Sequence, residues 1–215
     1  KANRYYGGHG IVGAQVPIGV GLAFAHKYRN EKKISRVYVG DGAMSNGQVF
    51  EAFNLASLWN LPVLFIIENN RYGMGTAVNR SAAGKDLYER ATVFGIEGEK
   101  INGMDFFEVS QAAIRARDHI YENSKPYVIE MDTYRYRGHS MSDPATYRSK
   151  DEVNEMKSND PLISMKNKLQ KDFKIKEDEF TIIETNIKKQ IKEVEKFSLE
   201  SPLPDLNELF TEVYL

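Results

Sequence analysis

Two short apolar runs in this chain each end in residues that a sheet would hold at one edge. Val37-Tyr38-Val39 runs into Gly40-Asp41-Gly42, and Val63-Leu64-Phe65-Ile66-Ile67 runs into Glu68-Asn69-Asn70. A helix-length segment, Gln48 to Trp59, lies between them. Strand, helix and strand in this rhythm predict a crossover connection and parallel pairing. Ligands of such α/β sheets bind beyond the carboxyl ends of the strands. A carboxylate, an amide oxygen and a freed backbone carbonyl suit a hard divalent cation such as Mg2+, which in turn holds phosphate oxygens. Asp-Gly after a strand is by itself most often a turn, and Asn-Asn alone says no more. Only the pair, at two strand ends, points to a site.

The remaining pattern extends the alternation. Residues 16–28 read as a buried helix despite Gly19 and Gly21. Each glycine costs about 1 kcal/mol there relative to Ala, which predicts close packing against another backbone, of this chain or of a partner chain. Residues 71–85 read as a loop and 86–94 as a short helix. Asp105 with Glu108 makes a capping-box-like start to a helix over 105–123. Phe106, Val109, Ala113, Ala116 and Ile120 form its expected stripe. Residues 127–133 read as a strand after Pro126. Phe50, Phe53, Leu55, Trp59 and Leu61 read as core. The fold class is therefore α/β, a doubly wound, mainly parallel sheet. From Lys150 charge rises and helical stripes dominate. Residues 1–149 are thus expected to form the α/β domain, and 150–215 a C-terminal helical extension packed on it. The chain starts without Met and enters Gly7-Gly8-His9-Gly10 at once, so residues upstream are expected to be missing.

Composition excludes several function classes. A formal net charge of −1 gives no electrostatic case for a nucleic-acid or membrane partner. With no cysteine, the chain can have no disulfide, thiolate metal site or Cys nucleophile. No apolar run approaches the ~18 residues of a membrane span.

Three further stretches turn the strand-end pair into a resemblance. Gly7-Gly8-His9-Gly10-Ile11-Val12-Gly13-Ala14-Gln15 opens the first helix, where free amides suit an anion or a heterocycle. Glu68-Asn69-Asn70-Arg71-Tyr72-Gly73-Met74-Gly75-Thr76 and Tyr134-Arg135-Tyr136-Arg137-Gly138-His139-Ser140-Met141-Ser142-Asp143-Pro144 follow strands. The chain resembles the α subunits of the pyruvate dehydrogenase first component, within the thiamine diphosphate-dependent 2-oxo acid dehydrogenase family. The resemblance covers nearly the whole chain and is densest from Tyr6 to Tyr147. One segment departs from it: Met44-Ser45-Asn46 stands where close relatives usually have Ala-Asn-Gln.

That resemblance implies an enzyme with thiamine diphosphate and Mg2+ as cofactors. It carries over Asp41, Asn70 and the Tyr72 carbonyl as metal ligands. Gly42 and Ala43 would lie against the diphosphate, and Gly10 and Val12 would touch the aminopyrimidine ring through their backbones. Ala2 falls at another cofactor position. Arg135 and His139 would clamp the diphosphate, with His139 near the reacting centre as an orienting and charge-neutralising group. His9 reads as a polar turn residue. Ser140 matches a position of inhibitory phosphorylation. The reaction implied is oxidative decarboxylation of pyruvate with acyl transfer to a lipoyl group on an acyltransferase core. The carboxylate that activates the pyrimidine would come from a pyruvate dehydrogenase β subunit in a heterotetramer. Location would be cytoplasmic in a bacterium, and the mitochondrial matrix or a plastid-type organelle in a eukaryote. Alternatives are an α subunit for branched-chain 2-oxo acids or acetoin, a one-chain enzyme of the transketolase kind and a catalytically silent binding subunit. A Mg2+-dependent phosphohydrolase is a further alternative; it would need a second acidic ligand near Asp41, and no residue qualifies.

Overall fold

A computed structural model describes residues 4–84 and 86–211. The chain divides into two compact units, Lys1–Met165 and Lys166–Leu215. In chain order the elements are α1 (Gln15–Tyr28), β1 (Ser35–Gly40), a 3-10 turn (Asp41–Ser45), α2 (Gly47–Leu58) and β2 (Val63–Asn69). The hairpin β3 (Tyr72–Gly73) and β4 (Thr76–Ala77) follows, then the single-turn helices α3 (Val78–Ser81) and α4 (Glu89–Thr92). Next come β5 (Glu97–Asn102), α5 (Phe106–Asn123), β6 (Tyr127–Asp132) and α6 (Lys150–Ser158). α7 (Pro161–Phe173) crosses the boundary between the units, and α8 (Glu177–Glu200) lies in the second.

The four main strands are all parallel, in the order β1-β2-β6-β5. Side chains alternate across the sheet, so each face buries its own set. On one face Val37, Val39, Phe65 and Ile67 meet Val16, Val20 and Ala23 of α1 and Phe53 of α2. On the other, Leu64, Ile66, Ile101 and Ile129 meet Ala112, Ala116 and Ile120 of α5. Helices on both faces make the sheet doubly wound, as expected. The rings of Phe53 and Phe65 pack edge to face at 4.8 Å between centroids. Removing a buried phenylalanine ring such as that of Phe53 costs about 3–5 kcal/mol, so this contact anchors the crossover that sets β1 beside β2.

Several expectations need correcting. The sequence pattern predicts no element over residues 97–102, where the structure has β5. Glu97-Gly98-Glu99-Lys100-Ile101-Asn102 lacks an apolar run because it is an edge strand with one buried residue, Ile101. Within this chain Gly19 packs on a side chain and not on a backbone: a Cβ there would strike Val37 of β1. The stripe of α5 runs through Ala112, which is buried, and Phe106 is exposed. Asp105 caps α5 by accepting from the amides of Phe107 and Glu108 at 2.8 and 3.1 Å. The reciprocal half of a capping box is absent there, because the Glu108 carboxylate accepts from the Asn102 amide at 2.9 Å instead. Trp59 is not core. It lies 43 % exposed against Phe24, centroids 5.4 Å apart.

The first compact unit ends at Met165 and includes α6. Within the second unit, Lys166 pairs with Glu177 at 2.5 Å and Gln170 donates to the same carboxylate at 2.9 Å. No residue of α8 is buried. Among the described residues no helix is long and apolar enough to cross a membrane.

Candidate functional site

β1 and β2 are adjacent and parallel, so Asp41 and Asn70 leave the sheet at the same edge. Asp41 is 6 % exposed. Burial pushes its carboxyl above the usual range, opposed by the backbone amides of Asp41 and Asn70 and by the Arg135 charge. A desolvated carboxylate held by amides and facing a cation is poised for a positive ligand. The turn after Asp41 is pressed onto β3. A Cβ on Gly42 would lie 3.3 Å from the Gly73 Cα, and one on Gly73 would lie 3.2 Å from the Gly42 Cα and 3.7 Å from the Asp41 Oδ2. Neither position has room for a side chain without displacing the other. Glycine at both lets the two main chains meet.

Asn70, Arg71 and Tyr72 form a tight turn leaving β2. Arg71 is left-handed, with φ 73°, and so is Met74, with φ 56°. Non-glycine residues rarely adopt that conformation, so surrounding bonds must impose it. Asn69 Oδ1 accepts from the Arg71 amide at 3.1 Å, and Asn70 Oδ1 from the Tyr72 amide at 3.2 Å. The Arg71 guanidinium grips Asp132 of β6 with two bonds of 3.1 Å, and this partner raises its pKa.

Arg135 reaches into this turn. Its guanidinium donates to the carbonyls of Tyr72 at 3.3 Å and Met74 at 2.6 Å, to the Arg137 carbonyl at 3.2 Å and to the Tyr147 hydroxyl at 2.7 Å. His139 Nδ1 lies 3.2 Å away. Among the described residues no carboxylate forms an ion pair with Arg135, so its charge is free to meet an anion. Its contact with the Tyr72 carbonyl also means that a cation there would share the oxygen with Arg135 or displace it. His139 is held through its backbone: its amide donates to Asp143 at 2.7 Å. Asp143 also accepts from the Ala145 amide at 2.8 Å and the Tyr147 hydroxyl at 2.9 Å. The two amides hold its carboxyl below the usual range. Ser140 is exposed, with its hydroxyl 3.1 Å from that of Ser142.

Residues that sequence reasoning missed hold this loop in place. Arg148 lies over the rings of Tyr134, Tyr72 and Tyr147, at 5.1, 5.6 and 5.7 Å. It donates to the carbonyls of Arg135 and, at 2.8 Å, Arg137. The Glu152 carboxylate of α6 accepts from the hydroxyls of Tyr134 at 2.7 Å and Tyr72 at 2.9 Å. Burial and Glu152 push the Tyr134 hydroxyl up to about 12, so it stays a donor at any physiological pH. Arg90 ties the Met44 carbonyl, at 3.1 Å, to the Ala83 carbonyl, at 3.3 Å.

Of the expected site residues, the structure brings together Asp41, Gly42, Asn70, Tyr72, Arg135 and His139. Ala43 is buried in the same turn. Gly10 and Val12 belong to an exposed segment. The Val12 carbonyl accepts from Asn46 at 3.0 Å and Gln48 at 3.4 Å, which fastens it to the start of α2. The divergent Met44-Ser45-Asn46 is therefore used twice: Met44 is fully buried, and Asn46 caps α2 through the Gln48 amide at 3.2 Å. Ala2 lies outside the described residues. Among the described residues no three His, Cys, Asp or Glu side chains cluster as metal ligands. One buried carboxylate, one amide oxygen and one carbonyl instead fit a hard cation that brings further oxygens from its own ligand.

Comparison with known proteins gives the family. The family model described as dehydrogenase E1 component matches residues 1–207. The pyruvate dehydrogenase E1 component subunit alpha of Rickettsia felis is 54% identical over 99% of this chain and 65% of its own length. That of Rhizobium meliloti is 49% identical over 100% of this chain and 62% of its own. A mitochondrial one from Dictyostelium discoideum is 46% identical over 99% and 56%. The chain thus spans less than two thirds of the length of these relatives.

Proposed function

The chain belongs to the dehydrogenase E1 component family, and from that premise we propose that it is the diphosphate- and metal-binding part of a pyruvate dehydrogenase α subunit. The observation that carries this reading is the meeting of the Asp41 turn with the Asn70–Gly73 turn, beside the Arg135 guanidinium, which among the described residues has no carboxylate ion-pair partner. Asp41, Asn70 and the Tyr72 carbonyl would hold Mg2+. Gly42 and Ala43 would lie along a diphosphate, and Arg135 and His139 would neutralise it. Gly10 and Val12 would steady the pyrimidine ring through their backbones, with Ala2 nearby.

Thiamine diphosphate supplies the electron sink for decarboxylating a 2-oxo acid. The work of this chain is binding and orientation. Asp41, itself buried, would offset metal charge where electrostatic attraction is stronger than in bulk water. The Arg135 fork can turn from the Tyr72 and Met74 carbonyls to phosphate oxygens, for which its planar geometry is suited. His139, 3.2 Å from that fork, would follow it and orient charge near the reacting centre. The carboxylate for the pyrimidine would come from a β subunit in a heterotetramer, and the acyl group would pass to a lipoyl-bearing acyltransferase core. Two of the relatives come from bacteria and one is mitochondrial, so the cytoplasm or the mitochondrial matrix is the expected location.

Ser140 is exposed in the loop that carries His139. Phosphate on it would add about −1.5 to −2 charges beside an anionic cofactor. Ser140→Glu is expected to abolish turnover by the assembled enzyme. Full activity in that variant would remove the regulatory role.

The deciding experiment is 2-oxo acid oxidation with an artificial electron acceptor, using the full-length chain with its β partner. Turnover of pyruvate that needs thiamine diphosphate, Mg2+ and both chains supports the reading. Preference for 3-methyl-2-oxobutanoate or acetoin would change the substrate and keep the site. Tight cofactor binding without turnover would favour a silent subunit.

A further inference from the structure

Glu130 is fully buried in the middle of the sheet, on β6, within the otherwise apolar run Val128-Ile129-Glu130-Met131. A buried carboxylate is costly unless it is hydrogen-bonded on all sides. Here it is. Oε1 accepts from Asn69 Nδ2 at 2.7 Å. Oε2 accepts from the amides of Leu87 at 2.6 Å and Tyr88 at 3.0 Å. Lys100 lies 3.7 Å from Oε1 and pairs with Asp86 at 2.7 Å.

The bond to Asn69 has a direction. With Nδ2 committed to Glu130, Asn69 must point Oδ1 away, and Oδ1 accepts from the Arg71 amide at 3.1 Å. That bond helps hold Arg71 in its left-handed conformation, on which the positions of Asn70 and the Tyr72 carbonyl depend. Asp132, two residues along the same strand, grips the Arg71 side chain. β6 therefore shapes a turn that belongs to β2. The same carboxylate holds the amides of Leu87 and Tyr88, just before α4, where Arg90 fastens the turn after Asp41. An apolar residue here would leave Asn69 Nδ2 and the amides of Leu87 and Tyr88 without their acceptor, at about 1–3 kcal/mol for each buried group left unsatisfied.

We propose that Glu130 is a positioning residue for the cation site: through Asn69 it sets the turn that presents Asn70 and the Tyr72 carbonyl to the metal. The inference rests on the reading of those two residues as metal donors. Gln at this position cannot replace the carboxylate, because its amide nitrogen would face an N–H donor.

The test uses the full-length chain assembled with its β partner, with Glu130→Gln, Asn69→Ala and the double variant. Affinity for Mn2+ in the presence of thiamine diphosphate is read by electron paramagnetic resonance, beside KM for pyruvate at saturating metal. Each single variant is expected to weaken Mn2+ binding by about 10–100-fold, with KM changed less than about twofold. The double variant is expected to be little worse than either, because both break one link. Unchanged Mn2+ affinity in folded Glu130→Gln overturns the proposal. Where that variant does not fold, unchanged affinity in Asn69→Ala overturns it. A parent enzyme that binds no Mn2+ beside the cofactor overturns the site reading itself, a result distinct from loss in the variants alone.

Discussion

Asp41 and Asn69 lie buried where two parallel strands end, braced by amides and by the Glu130 carboxylate. Residues 134–147 hang outside the sheet from Arg135, Arg148 and two tyrosine hydroxyls on Glu152. Both regions meet at the Tyr72 carbonyl. The first is set by strand register and a packed core, and it has few ways to rearrange. The second is held by bonds that are partly solvated, each worth about 0.5–1.5 kcal/mol net. The strand ends are thus suited to fixing a ligand's place, and the loop to closing over it. Damage should differ accordingly: the buried half loses affinity outright, while the loop half loses it by degrees.

Asp41→Asn should have the largest effect. It removes the buried carboxylate beside the Asn70–Gly73 turn, and the loss in Mg2+-dependent thiamine diphosphate binding should exceed the ~10–100-fold typical of groups that only support a ligand. Calorimetric titration of the assembled enzyme at several Mg2+ concentrations measures this. A loss of less than about tenfold would erase the contrast between the two halves.

Arg135→Lys should be intermediate. A lysine keeps the charge but cannot span the carbonyls of Tyr72 and Met74 and the Tyr147 hydroxyl together. Losing one charged hydrogen bond, at about 1.5–3 kcal/mol, predicts cofactor binding weaker by about ten- to a hundredfold. Equal binding in Lys and Arg forms would show that charge alone matters.

The smallest effect is expected at Asp143. Its pKa is lowered by the amides of His139 and Ala145. A lowered carboxylate pKa gives stability that is full above the unfolded value of about 3.9 and is lost as pH falls through the folded value. The loop latch should therefore hold throughout the neutral range and fail only in acid. Asp143→Asn should raise amide exchange at His139 and Ala145 near neutrality and remove the acid step from loop exchange. An acid step that persists in this variant would assign the latch to another group.

How much of this was legible in the sequence follows from the same contrast. β2 and β6 announce themselves because strands covered on both faces read as apolar runs, whereas β1 is an edge strand that shows itself through its alternately buried Val37 and Val39. β5 is an edge strand with one buried side chain, so its sequence carries no such run. Asp41 and Asn70 could be found because each follows a strand. Glu130 could have been noticed as the single charge inside an apolar run, but its partners, Asn69 and the amides of Leu87 and Tyr88, lie far away in sequence. Arg148 and Glu152 carried no signal at all. Their sequence, Arg148-Ser149-Lys150-Asp151-Glu152, reads as a solvated start to a helix. Only the three-dimensional arrangement shows a guanidinium among three tyrosine rings.

The account's central claim is that the strand ends place a metal against a diphosphate. The most direct test is the 31P spectrum of thiamine diphosphate bound to the assembled full-length enzyme, with Mn2+ in place of Mg2+. Strong paramagnetic broadening of both phosphorus resonances in the parent, relieved by Asp41→Asn, is the result expected. Broadening that is unchanged by Asp41→Asn, with the cofactor still bound, would put the metal elsewhere and contradict the account.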